Sequence, residues 1–331
     1  MEAGLRPLIV HSAIAGMSNR LEAALSAAAQ GDPETLRDEI ADGHRRLATD
    51  LGLNADELLA ADLAELDQLL AGIRLVREAS PRVQARVMAL GELMATRLGA
   101  AYLRACGLDV EWVDARELLV SEDLDENETS RYLAASCDFS PDPGFQATLA
   151  SRPAVLITQG FIARNREGEG VLLGRGGSDT SAAYLAARLQ ARRLEVWTDV
   201  PGMFSADPRV VPGARLLRRL SYEEAQEIAS TGGSVLHPRC IRPVRRYGIP
   251  LHVLSTSLPD MEGTQIGELP GGDAPRLTAL ASRRNITVVS METVGMWHEV
   301  GFLAEAFRCF SDLGLSVDLV STAESNVTVT L

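Results

Sequence analysis

A glycine-rich run set between an apolar stretch and an alanine-rich one, Gly174-Arg-Gly-Gly-Ser-Asp-Thr-Ser181, constrains this chain more than any other segment. Gly170-Val-Leu-Leu173 before it reads as a short strand, and Ala182 to Leu189 after it as a helix. A strand, a glycine turn and a helix start together form a place for phosphates. Glycines let backbone N–H groups approach an oxyanion, Ser178 or Asp179 can cap the helix, and the helix N-terminus adds partial positive charge. A second junction of this kind follows, where Leu194-Glu-Val-Trp-Thr-Asp-Val-Pro-Gly202 reads as a strand ending in a Pro-Gly turn, with Ser205-Ala-Asp-Pro-Arg209 beyond it. Ligands of open α/β sheets collect at the carboxyl ends of strands, so Thr198, Asp199 and Arg209 are expected to share a cleft with the glycine turn.

The rest of the chain supplies the layers around that cleft. Pro7 to Ser12 reads as a buried strand leading into a helix through Leu21, Leu25 and Ala28. Three long helices follow: one opening at Asp32-Pro33-Glu34, one capped by Asn54, one opening at Pro81, each with apolar residues at helical spacing. Val110 to Val113, Pro153 to Phe161 and Pro250 to Leu254 read as further strands, so strands and helices alternate as in a layered α/β sheet. After Gly263 the composition turns to Gly, Pro and Asp, and a different pattern begins. Ile286 to Ser290, a helix with Phe302, Leu303, Ala306, Phe307 and Phe310 on one face, Ser316 to Ser321 and Asn326 to Leu331 give the order β-α-β-β, the first part of a ferredoxin-like unit.

Composition removes several function classes. A net charge of −13 argues against a broad nucleic-acid or anionic-membrane surface, and no apolar run has the length of a membrane span. The expectation is a cytoplasmic protein. Cys106, Cys137, Cys240 and Cys309 are widely spaced, which suggests buried reduced thiols, and the five histidines have no metal-ligand spacing, so no metal site within the protein is expected. All 32 basic residues are arginine, which excludes any lysine-dependent site in this chain.

Gly174-Arg-Gly-Gly-Ser-Asp179, Trp197-Thr-Asp-Val-Pro-Gly202 and Val235-Leu-His-Pro238 resemble the motifs of aspartokinases, members of the amino-acid kinase family. Ser12-Ala-Ile-Ala-Gly-Met-Ser-Asn-Arg20, Leu90-Gly-Glu-Leu-Met94 and Ile157-Thr-Gln-Gly-Phe161 extend the resemblance over nearly the whole chain. It implies a three-layer αβα amino-acid kinase fold, carbamate kinase-like, followed by a partial ACT domain. It further implies phosphorylation of L-aspartate by ATP with Mg²⁺, at the head of lysine, threonine and methionine biosynthesis. By the same resemblance Arg175 binds the α-carboxylate of aspartate and Glu92 its α-ammonium; Ser12, Ser18 and Ser178 contact substrate or transferring phosphate. Gly176, Gly177 and Asp179 organise the γ-phosphate, and Thr198, Asp199, Phe204, Arg209 and Ser234 line the nucleotide pocket. On spacing alone Glu92 is equally a solvated helix residue, Arg175 and Arg209 are equally surface ion pairs, and His237 is a structural hydrogen-bonding residue.

Two departures bear on activity. The family's opening strand and loop, Lys-Phe-Gly-Gly-Thr-Ser, is not in this sequence, and Ser234 stands where a lysine is usual before Val-Leu-His-Pro. The expected organisation is a fragment: residues 1–256 a kinase domain lacking its first strand and Lys-Phe-Gly-Gly loop, 257–276 a linker, and 277–331 a partial ACT regulatory domain. Gly295-Met-Trp-His298, Gly301-Phe-Leu-Ala304 and Ser316-Val-Asp-Leu319 resemble the effector site of lysine-sensitive aspartokinases, which implies Met296, Glu299, Phe302, Leu303, Val317, Asp318 and Glu324 around a bound lysine. Met296-Trp-His298 also resembles chains fused to a diaminopimelate decarboxylase. ACT modules pair edge to edge, so the resemblance implies a homodimer or higher homo-oligomer. The alternatives are another amino-acid kinase, acting on glutamate, acetylglutamate or a nucleotide, and a non-catalytic amino-acid-binding regulatory chain.

Overall fold

The computed structural model describes residues 6–122, 127–152, 155–231, 235–269, 277–282, 285–292, 301–323 and 325–331. They form two units, Met1–Leu280 and Ala281–Leu331. The first begins with β1 (Leu8–His11) and four long helices, α1 (Met17–Gln30), α2 (Glu34–Asp50), α3 (Ala55–Val76) and α4 (Pro81–Ala105). It continues through β2 (Val110–Trp112), α5 (Ala115–Leu118), α6 (Glu128–Leu133), α7 (Pro143–Ala150), β3 (Val155–Gln159), β4 (Ile162–Arg164) and β5 (Gly170–Leu172). The remainder is α8 (Gly177–Leu189), β6 (Leu194–Thr198), β7 (Arg219–Ser221), α9 (Tyr222–Ser230), a 3₁₀ turn (Pro238–Cys240), α10 (Ile241–Arg246), β8 (Leu251–Ser255) and β9 (Thr264–Gly267).

The layering follows from the alternation of side chains along parallel strands. β1 pairs with β3 and β3 with β2, in the order β1-β3-β2. Ile9, Val155 and Ile157 point to one face, where Ala100 and Leu103 of α4 meet them; Leu8, Val10 and Leu156 point to the other, against Tyr184 and Leu185 of α8. Helices thus cover both faces, which is what a strand as uniformly buried as Val155–Gln159 requires. Behind α4, the helices α1 to α3 bury Leu21, Ile40, Leu59, Leu66 and Ile73 against it and one another. A second sheet has the order β6-β8-β9-β7, with β6 parallel to β8 and β8 antiparallel to β9. Helix α8 packs against both β1 and β6.

Two expectations are corrected here. The segment 257–276, expected to be a linker, contains β9, whose Ile266 is wholly buried between β8 and β7. Tertiary pairing overrides a Gly-rich composition when one apolar residue faces the core. Cys137 and Cys240 are buried, but Cys106 and Cys309 are exposed, so only half of the cysteines follow the buried-thiol expectation.

The second unit contains β10 (Val288–Glu292), α11 (Phe302–Asp312), β11 (Leu319–Thr322) and β12 (Asn326–Thr330), in an antiparallel sheet of order β10-β12-β11. This is the expected β-α-β-β order. Val327 and Val329 on the central strand are its fully buried apolar residues, and no residue of α11 is fully buried.

Candidate active site

The turn after β5 is tight because three close approaches leave no room for side chains. Gly174 and Gly176 have φ of +74° and +64°. A Cβ on Gly176 would run into the His237 ring, one on Gly177 into Phe161, and Gly160 lies hard against Ser178. Gly176 itself occupies the N-cap of α8 and no side chain caps the helix, which corrects the expectation that Ser178 or Asp179 would do so. The helix N-terminus is therefore left to an outside acceptor. Phe161 is a non-glycine residue at φ +67°, held there because its N–H donates to Ser181 Oγ (2.9 Å) and its carbonyl accepts from Leu173 N–H (2.8 Å).

Asp179 Oδ2 accepts the His237 backbone N–H at 3.2 Å. Burial pushes the Asp179 carboxyl above the usual carboxylate range, and that hydrogen bond opposes the rise. His237 Nδ1 accepts the Arg239 N–H (3.3 Å), and burial, then the charge of Arg239, lowers the imidazole pKa. Ser12, Ala13, Ser178, Asp179, Trp197 and Thr256 line one groove of about 950 Å³ whose walls are β1 and β6. Arg175 is exposed and makes no ion pair among the described residues.

Glu92 is not a solvated helix residue. It is 3% exposed on α4, its carboxylate accepts the Ala13 N–H, and Oε2 has no hydrogen-bond partner. Burial pushes its pKa up to about 7, with hydrogen bonds from its own backbone and from Ala13 opposing. Gly91 lets α4 approach the β1–α1 loop so closely that a Cβ there would stand 3.1 Å from Ala13 Cβ. Thr96 Oγ1 donates to Glu92 O (2.8 Å) and accepts from Trp112 Nε1 (2.9 Å) and Gln159 Nε2 (2.8 Å), while Gln159 Oε1 accepts from Ala115 N–H (2.8 Å). A satisfied buried network thus pins the turn that presents the Glu92 carboxylate.

The expected nucleotide residues are built more locally. Thr198 Oγ1 donates to Asp199 Oδ1 (3.1 Å), Phe204 bridges to Leu216, and Arg209 forks onto Asp207 at 3.0 Å. Thr198, Asp199, Phe204 and Arg209 are not part of the groove's lining, which on β6 ends at Trp197. Of the expected effector residues, Phe302 and Leu303 open α11 and Val317 and Asp318 precede β11, with Asp318 N–H donating to Thr330 O at 2.9 Å. Ser234, Met296, Glu299 and Glu324 lie outside the described residues. Sequence reasoning missed the roles of Thr96, Gln159 and Arg239. Gln159 lies within Ile157-Thr-Gln-Gly-Phe161 and Arg239 directly follows Val235-Leu-His-Pro238, whereas no local pattern marks Thr96.

The sequence matches the profile of the amino acid kinase family over residues 1–255. It is 37% identical to lysine-sensitive aspartokinase 3 of Escherichia coli (strain K12), over 81% of this chain and 60% of that protein. It is 33% identical to the chloroplastic aspartokinase 2 of Arabidopsis thaliana, over 98% of this chain and 60% of that protein. The chain thus spans about 60% of the length of these curated relatives. In solved structures it is similar to E. coli aspartokinase III in complex with aspartate and ADP (R-state), at a TM-score of 0.78 and 34% identity, covering 98% of this chain and 71% of that one. The same enzyme in complex with lysine and aspartate (T-state) gives a TM-score of 0.76 and 33% identity, covering 100% and 73%. Among the described residues no helix is long and apolar enough to cross a membrane.

Proposed function

The chain belongs to the amino acid kinase family, among its aspartokinases, and from that premise we propose that it carries the catalytic unit of an ATP-dependent L-aspartate kinase. The observation that carries this reading is Glu92: a buried carboxylate on α4 with one unpartnered oxygen, bonded to Ala13 of the loop that lines the same groove as Ser178 and Asp179. Such a group is costly until a cation arrives, and the α-ammonium of an amino acid is a suitable one. The unpaired, exposed Arg175 guanidinium supplies a fork for the α-carboxylate. Two opposite charges then orient the zwitterion with its side-chain carboxylate toward the phosphates.

ATP fits the turn on the ground that side chains are excluded at Gly176 and Gly177 and that the N-terminus of α8 has no side-chain cap. In the proposed reaction an oxygen of the aspartate β-carboxylate forms a bond to the γ-phosphorus, the bond from that phosphorus to the β,γ-bridging oxygen breaks, and ADP leaves. The β-carboxylate is ionised at neutral pH, so no general base is needed; the work is in-line positioning and neutralisation of charge. Ser12 and Ser178, which line the groove, would contact the transferring group, and Thr198, Asp199, Phe204 and Arg209 would hold the nucleotide. Mg²⁺, when bound with ATP, would supply charge neutralisation, with Asp179 the nearest carboxylate of the turn and phosphates and water the remaining ligands.

Among the described residues β1 pairs only with β3 and β6 only with β8, and their free edges face the same groove. We infer that a further strand carrying the Lys-Phe-Gly-Gly-Thr-Ser loop belongs there, joining the two sheets and bringing the cation this lysine-free chain lacks. Residues 277–331 are proposed to be an ACT-like region that binds a lysine effector and pairs into a cytoplasmic homo-oligomer. The test is trapping of the acyl phosphate as its hydroxamate with ATP, Mg²⁺ and aspartate, on this chain and on one extended by the Lys-Phe-Gly-Gly-Thr-Ser strand. Hydroxamate formed by the extended chain supports the proposal. Inactivity of both, with lysine binding retained in calorimetry, sinks it in favour of a regulatory chain.

A further inference from the structure

Arg239 sits behind the glycine turn and forms no ion pair among the described residues. One guanidinium nitrogen donates to Leu173 O, the carbonyl immediately before Gly174. The other donates to Ala135 O (3.1 Å) and Ser136 Oγ (3.2 Å). Its backbone N–H reaches His237 Nδ1, and His237 in turn holds Asp179 and fills the space beside Gly176. A Cβ on Gly174 would stand 3.5 Å from an Arg239 nitrogen. The side chain is half-buried, and none of these partners is a carboxylate. The contrast with other partly buried arginines is plain: Arg97 pairs with Asp62 at 2.8 Å, Arg116 with Asp114 at 2.6 Å and Arg188 with Asp142 at 2.8 Å. A half-buried guanidinium bonded to neutral oxygens is less neutralised than one paired with a carboxylate, and here its charge has the same sign as the N-terminus of α8. Its field already reaches His237, whose pKa it helps to lower.

We propose that Arg239 is a positioning residue of the phosphate turn: its fork ties the Leu173 carbonyl to the Ala135–Ser136 segment, and its unpaired charge favours the polyphosphate of a bound nucleotide. The inference rests on the kinase reading and deepens it. It assigns a cationic contribution to a chain without lysine, at a residue that touches the turn rather than the phosphates.

The experiment is calorimetric ADP–Mg²⁺ binding at two salt concentrations, together with the KM values for ATP and aspartate in the chain extended by the Lys-Phe-Gly-Gly-Thr-Ser strand, each with the wild-type residue, Arg239→Gln and Arg239→Lys. For Arg239→Gln, ADP affinity falls on the order of tenfold and its salt dependence flattens, while the KM for aspartate changes by less than about twofold. Arg239→Lys keeps the charge and recovers most of the affinity although it loses the fork. Unchanged ADP binding in Arg239→Gln, or equal losses for ADP and aspartate that track a fall in Tm in both variants, overturns the proposal. If Arg239→Gln does not fold, Arg239→Lys decides: affinity near wild type supports the charge, and a tenfold loss in a folded Lys variant rejects it. A wild-type chain that binds no ADP overturns the kinase reading and this inference together, whereas wild-type binding with an indifferent Gln variant overturns only the inference.

Discussion

Glu92 and Arg209 stand for two ways of building a charged site. Glu92 is 3% exposed, held by Ala13 and by the Thr96–Gln159–Trp112 network that ties α4 to β2, β3 and α5. The Arg209 side chain is 81% exposed and is held by Asp207, two residues away. At Glu92 the core sets the geometry before any ligand arrives; at Arg209 a surface turn satisfies itself, and in the proposed reading it would give up its own pairing to meet a nucleotide. Removing a group should therefore cost much at the Glu92 end of the proposed site and little at the Arg209 end.

The largest effect is expected at Glu92. Glu92→Gln should lower kcat/KM for aspartate by about a hundredfold or more, since it removes the buried charge proposed to meet the substrate ammonium. Its titration sharpens the same point. With a pKa raised to about 7, the free wild-type chain should lose aspartate affinity as pH falls through 7, and the Gln variant should not show this step. The stability consequence has the opposite sense. The native state holds the Glu92 proton more tightly than the unfolded chain, so stability of the ligand-free protein should decline as pH rises from the ordinary carboxyl value to about 7 and level off above it. Denaturant titrations across pH should show that slope in the wild type and less of it in Glu92→Gln; Asp62 and Asp179, shifted the same way by burial, contribute to what remains.

Next in size is the turn shared by both ends. Gly177→Ala places a methyl within 2.9 Å of the Phe161 Cα, a backbone atom that cannot swing aside, so a loss of roughly 2–3 kcal/mol in unfolding free energy is expected. Thr96→Val should cost less, about 1–2 kcal/mol, and should appear as a raised KM for aspartate with the KM for ATP unchanged, because only the Glu92 side of the cleft depends on that hydroxyl. A matching rise in both KM values would break the distinction between the two ends. Arg209→Ala is expected to change stability by under about 0.5 kcal/mol and ATP affinity by only a few-fold, an effect that high salt removes.

Local sequence was legible where the physics is local. The helices α1 to α4 follow from apolar spacing and from breakers such as Pro33 and Pro81, and the glycine turn from three glycines between a strand and a helix. Glu92 was identifiable as a candidate, but not its burial, which depends on Gly91 meeting a loop far away in the chain. The helix cap was misread because Ser178 and Asp179 have the right chemistry for a cap, but α8 already begins at Gly177, which puts both inside its first turn. β9 was hidden inside a Gly- and Pro-rich stretch, since its only signal is Ile266 alternating with polar neighbours.

By itself, then, the sequence determined that an α/β sheet would end in a glycine turn beside a helix N-terminus, and that arginine alone would supply side-chain cations, because turn conformation and residue type are properties of short segments. Tertiary structure alone decided which charged side chains lack an opposite charge among the described residues. Glu92, left with an unpartnered oxygen, and Arg239, left without a carboxylate, acquire their character from burial and from neighbours on other elements, and a pKa or an electric field depends on all of those at once.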